Sequence, residues 1–201
     1  MLRNTWGGAA MLLLVLAGSL TRAAESRRKY EAGPLRAEDF AAEPPKSAGR
    51  AANTVTELRY EYRYRYSTGE KSVQIALESI EIHAYIRRDA SWNRTPDDRA
   101  LLDHEQGHAD IAQIQCLQAR RAFAEKIRRG FQVEAATRAE GIQALERVIQ
   151  REMSSFEEAG RAADAEYDRA TEHGLGGQQA EWRRVQRETL RNLQEEGEKP
   201  K

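Results

Sequence analysis

Apolar and polar residues change their period along this chain. From Val55 to Ser67 they alternate, with Tyr60, Tyr62, Tyr64 and Tyr66 on one side and Arg59, Glu61, Arg63 and Arg65 on the other. A two-residue period predicts a β-strand with an aromatic face. Ser67-Thr68-Gly69-Glu70 predicts a turn, and Val73, Ile75 and Leu77, then Ile80, Ile82, Ala84 and Ile86, predict a second strand. Its phase slips near Glu78-Ser79, the signature of a β-bulge. Together the two strands form a small antiparallel sheet, and the tyrosine row reads more readily as a half-buried sheet face than as an aromatic binding platform.

Beyond Thr95 the period becomes helical. Thr95 as hydroxyl N-cap, Pro96 at the first helical position, and Asp97 and Asp98 in the first turn predict a helix that runs to Arg129 and stops at Gly130. A second helix carries Ile142, Leu145, Ile149, Met153, Phe156, Gly160, Ala163 and Tyr167 on one stripe and ends near Gly174. Gln178 through Trp182 to Leu193 predicts a third, shorter helix. The expected fold class is α+β: a small antiparallel sheet followed by two long antiparallel helices, joined by residues 130–140 and packed on each other and on the sheet.

The ends of the chain read differently. Arg3, an uncharged stretch from Ala9 to Leu20, and Thr21-Arg22-Ala23-Ala24 follow the order of a secretory signal peptide, cleaved after Ala23. That apolar stretch is shorter than the roughly 20 residues of a bilayer span. Residues 1–23 are thus expected to be removed, leaving no stable membrane span and a periplasmic or secreted protein, with an uncleaved anchor as the alternative. Residues 24–52, with Gly33-Pro34 and Pro44-Pro45, read as an extended lead-in. A single domain is expected over 53–193, and a charged tail over 194–201. Of the 201 residues, 32 are Lys or Arg and 32 Asp or Glu, so no net field steers the chain to nucleic acid. Cys116 is the only cysteine, which excludes an internal disulfide and leaves it as a small core residue. Oligomeric state has no signature here.

The chemistry concentrates in Leu101-Leu102-Asp103-His104-Glu105-Gln106-Gly107-His108, an H-E-x-x-H run. Four-residue spacing on a helix points both imidazoles at one metal, with the glutamate beside them as a base. On a wheel of about 100 degrees per residue, His104, Glu105 and His108 fall in the apolar arc with Leu101, Ile111, Ala112, Cys116, Ala119, Ala122 and Phe123, opposite Asp103, Gln106, Gly107, Asp110 and Gln113. A carboxylate on a core face needs a cation or a hydrogen-bond network to answer it, and zinc answers it. A catalytic zinc takes three protein ligands and an open position. If the two helices are antiparallel, His104 lies opposite Tyr167 and His108 opposite Ala163, so Asp164 to His173 returns to the motif. His173 and Asp168 are the candidates for the third ligand, ahead of Glu157 and Glu158. His83 is assigned to the second strand. Tyr167 is a candidate oxyanion donor, with a core aromatic as the commoner role for such a residue.

Leu102-Asp103-His104-Glu105-Gln106-Gly107-His108-Ala109-Asp110-Ile111 together with Tyr167-Asp168-Arg169-Ala170-Thr171-Glu172-His173-Gly174 resembles the bacterial predicted secreted zinc-dependent proteases, a family catalogued as a domain of unknown function. Ser91-Trp92, Gln179, Trp182 and the lead-in Pro34 to Phe40 extend the resemblance over most of the chain after the leader. Ala109, where the family usually has an aromatic, and Ala170, where it usually has an acid, depart from it without touching a proposed ligand. The resemblance implies metal binding first, and peptide cleavage only through the motif.

The expectation is a zinc-dependent metallohydrolase, a peptidase with a peptide or protein substrate. Zn2+ is held by His104, His108 and either His173 or Asp168, with Glu105 as the base and Tyr167 as the oxyanion donor. The alternative is a non-catalytic exported helical module in which a structural metal ties the helices while the tyrosine face or tail engages a protein or envelope partner. A third reading keeps the enzyme and changes the bond, for instance to a cell-wall amide.

Overall fold

The computed structural model describes residues 26–47 and 49–198, so the proposed leader at 1–23 lies outside the described residues. Among them the fold is α+β, with a small antiparallel sheet and three helices. In chain order the strands are β1 (Arg27–Lys29), β2 (Ala52–Asn53), β3 (Thr56–Thr68), β4 (Val73–Arg87), β5 (Trp92–Asn93) and β6 (Gln132–Ala135). The helices are α1 (Arg99–Arg128), α2 (Arg138–Thr171) and α3 (Gln179–Glu198).

β4 organises the sheet. One edge pairs along its length with β3; the other pairs with β1 opposite Tyr85–Arg87 and with β6 opposite Val73–Ala76. The β3 register passes from Arg63↔Ser79 to Tyr64↔Leu77, which leaves Glu78 unpaired, the bulge expected from the phase slip. Ile75, Leu77, Ile82 and Ala84 of β4 meet Cys116, Ala119 and Phe123 of α1 and Leu145, Ile149 and Met153 of α2 in one core. The four tyrosines of β3 pack on its margin, half-buried. β2 and β5 form a separate two-stranded pair.

Several local expectations need correction. α1 begins at Arg99, not Pro96, because the Asp98 carboxylate accepts from the amides of Ala100 and Leu101 at 3.0 and 3.1 Å. Thr95 instead closes a turn with the Asp98 amide. The joint after Gly130 contains β6, a strand of four residues whose pairing lies far away in sequence and which is too short for a period to reveal. The lead-in is anchored: Leu35 is buried and its amide donates to Gln106 Oε1 at 2.7 Å. α3 continues to Glu198, so residues 194–198 of the expected tail are helical.

The largest correction concerns α1, whose outer face on the wheel is also buried at Gly107, Asp110 and Gln113, while Gln106 is half-buried and Asp103 stays exposed. α3 covers Gly107 and Asp110: Arg183 pairs with Asp110, and Gln186 Nε2 donates to the Gly107 carbonyl at 3.3 Å. Asp110 also accepts from Tyr30 Oη at 2.9 Å and from Gln106 Nε2 at 2.7 Å. Arg183 further contacts Asp103 at 3.2 Å and Gln186 at 2.8 Å. One buried network therefore joins the lead-in, α1 and α3, and the pairing satisfies charges that would otherwise be costly to bury.

Candidate metal centre

His104 and His108 lie one turn apart on α1, and α2 passes them in the opposite sense: His104 stacks on Tyr167 with ring centroids 4.8 Å apart, and His108 Nδ1 lies 2.9 Å from Asp164 Oδ1. This close approach requires Gly107. A Cβ there would lie 2.3 Å from the Tyr167 hydroxyl oxygen, inside any permitted contact.

Asp168, one turn after Asp164, brings a single oxygen to the imidazoles. Its Oδ1 lies 3.2 Å from His104 Nε2, 3.1 Å from His108 Nε2 and 3.3 Å from His173 Nδ1. The potential ligand atoms of His104, His108 and Asp168 all lie within 4.8 Å of one another, a group that could hold a metal ion. Two imidazoles and a carboxylate suit several divalent metals, so the donor set does not choose the ion. The other ring nitrogens are engaged as ligating histidines require: His108 Nδ1 on Asp164, and His104 Nδ1 on Gln179 Oε1 at 3.2 Å. These residues fit a metal.

Of the two candidates for a third ligand, Asp168 joins the histidines. His173 is not one of the three; exposed at the rim, it lines the same cavity as they do and its Nδ1 meets Asp168 Oδ1. Its backbone is left-handed, as are those of Glu172 and Gly174, with φ of 55°, 49° and 89° in turn. Such backbone in non-glycine residues concentrates where surrounding contacts impose it. Glu157 and Glu158 are exposed and outside the group, and His83 sits on the sheet beside Glu31, 3.3 Å away.

Glu105 is 3 % exposed and lines, with His104, His108, Asp164, Asp168 and Arg50, a cavity of about 260 Å3. Its Oε2 accepts from Thr54 Oγ1 at 2.6 Å. Tyr167 does not have the placement of an oxyanion donor. It is fully buried, donates to the His104 carbonyl at 3.1 Å and accepts from Gln179 Nε2 at 2.9 Å, and does not line the cavity. Its position is that of a core aromatic which backs the His104 ring.

Electrostatics follow from this packing. Burial alone would lower the His108 value, but hydrogen bonds and charge from Asp164 and Asp168 override it and raise it to about 10. Burial would raise the Asp168 value, yet hydrogen bonds from His104 and His108 hold it well below the usual carboxylate range. In the protein without a metal, the proton charge on His108 thus occupies the role a cation would take.

Sequence reasoning brought Asp164 back to the motif without giving it a role, and missed Thr54 and Arg50. Asp164 had a signal, since it precedes Asp168 by one helical turn on the same face. Thr54 and Arg50 arrive from the lead-in and its junction with β3, and no spacing links them to the motif. Arg50 lies 3.8 Å from Asp168 Oδ2, the oxygen turned away from the imidazoles. Comparison with known protein families, with curated proteins and with solved structures finds no match to this chain.

Proposed function

We propose that the protein is a zinc-dependent metallohydrolase, exported to the periplasm or secreted, that cleaves peptide bonds and belongs with the predicted secreted zinc proteases it resembles. One observation carries the reading: a buried carboxylate, Glu105, faces the same cavity as the His104–His108–Asp168 group. A structural metal alone would not require an ionisable side chain at that position.

In this reading His104, His108 and Asp168 hold the ion, and Asp164 and Gln179 fix the ring orientations of the two histidines. When bound, zinc would polarise the scissile carbonyl and lower the pKa of an attacking water to about 7. Glu105 accepts the proton of that water and returns it to the departing nitrogen, while Thr54 holds its Oε2. His173 orients Asp168 from the rim.

The test is metal analysis of the chain purified without chelators, beside hydrolysis of a broad peptide library. Glu105→Gln is expected to retain the metal and lose turnover, and His104→Ala to lose both. A parent protein without metal would overturn the reading. Stoichiometric metal with no hydrolysis of peptides or cell-wall amides would favour the non-catalytic module instead.

A further inference from the structure

We propose that β3 is the seam of a homodimer, pairing antiparallel with β3 of a second copy about a two-fold axis through Tyr60. β3 is 13 residues long and ends the sheet, so among the described residues its outer backbone groups have no strand partner. A long edge of this kind is a template for another strand unless its side chains forbid it. Here the side chains favour one register.

With the axis on Tyr60, each residue meets the one equally distant on the other side. On the outer face Glu57, half-buried and already paired with Arg27 and Arg59 of its own chain, then opposes Arg63 of the copy, and Arg59 opposes Glu61, each twice by symmetry, so all four contacts unite opposite charges. Moving the axis one residue to Glu61 sets Arg59 against Arg63 and Glu61 against itself. The favoured span, Glu57 to Arg63, ends where the bulge begins, so it uses the regular part of the strand.

Two features of the single chain match this arrangement. Glu61 lies directly across from Glu81 on β4, both exposed, and no ion pair relieves them among the described residues; like charges in that position repel. Arg59 of a second copy, which in its own chain contacts Glu57 at 2.8 Å, would bring a cation to Glu61. On the opposite face, Leu58, Tyr60 and Tyr62 remain half-buried at the core margin. The same axis sets Tyr60 beside its copy and Leu58 beside Tyr62, so two incompletely covered apolar rows cover each other.

Sedimentation velocity of the purified chain over a range of about 1 to 200 μM, spanning the weak-to-moderate affinities such an edge supplies, is expected to show a monomer–dimer equilibrium. Arg59→Glu places like charges at two contacts and should raise the dissociation constant about tenfold or more, whereas Arg59→Glu/Glu61→Arg restores opposite signs and should bring it back. Backbone amides between Glu57 and Arg63 should gain hydrogen-exchange protection as concentration rises. A monomer at every concentration, as for an edge that takes a strand from a different protein, would overturn the proposal. So would a dimer indifferent to Arg59→Glu.

Discussion

Replacing Gly107 by alanine tests whether the motif glycine is present for the ring behind it. An added Cβ would stand 2.3 Å from Tyr167 Oη, 2.4 Å from Cζ and 2.6 Å from Cε1. Ordinary contact begins near about 3.4 Å, so the ring or the helix must yield by roughly 1 Å. The ring cannot swing away: it is fully buried, hydrogen-bonded at its hydroxyl, stacked on His104 and met edge-on by Trp182 with centroids 5.7 Å apart. Alanine gains about 1 kcal/mol of helix propensity over glycine, while overpacking costs about 1–3 kcal/mol and, against so fixed a ring, more. A net loss of about 2 kcal/mol follows, which for a domain of this size lowers Tm by about 4–8 °C. Metal affinity should fall as well, because the Tyr167 ring that the Cβ would push against backs the imidazole of His104. Thermal unfolding and metal titration read both effects, and Tyr167→Leu in the same chain should recover part of the stability. Stability at or above the parent's, with metal affinity unchanged, would refute the steric argument.

The remaining predictions concern charge and support. Because His108 is charged near pH 7 before a metal enters, metal uptake should expel a proton, seen in calorimetry as a heat that varies with buffer ionisation enthalpy. Its folded value lies above the 6.5 of a free imidazole, so in the metal-free protein the charged form contributes fully below about pH 6.5 and that contribution is lost as pH rises through about 10. Asp164→Asn should flatten the decline of metal-free Tm across that window and weaken metal binding about 10- to 100-fold; an unchanged profile would contradict the assignment. Arg183→Ala leaves Asp110 buried without its cation and should cost about 3–5 kcal/mol in urea unfolding, and a loss below about 1 kcal/mol would mean the network carries little. Thr54→Val should leave metal content intact and lower peptide hydrolysis by about tenfold or more if Glu105 needs that hydroxyl, with equal loss of metal arguing for a merely structural role.

What was legible in the sequence follows from the range of the interactions involved. Local periodicity located β3, β4, the bulge at Glu78 and the three helices, since each is written over a dozen or more consecutive residues. The helix register also set His104 opposite Tyr167, where they stack. β6 escaped because four residues carry too little pattern, and the start of α1 because Asp98 and Thr95 both offer caps while only the structure shows which oxygen the amides choose. The wheel misjudged Gly107 and Asp110 because it cannot foresee a helix arriving from residue 179 onward. Asp168 beside the histidines was foreseen as one of two options; the other, His173, lies in the left-handed turn after Thr171 and contacts Asp168 at 3.3 Å.

The distribution of the metal group along the chain sets an order of assembly. Asp168 follows His104 by 64 residues, and Gln179, which holds the His104 ring, follows by 75. Contacts closed over such separations form late, after the local hairpin and helices have condensed. A ribosome that has released only the first helix therefore carries two histidines with no carboxylate from α2 and no buttress from α3. The motif that looks self-sufficient on paper thus gains its carboxylate only when α2 has docked, and the hydrogen bond that fixes its first ring only when α3 has.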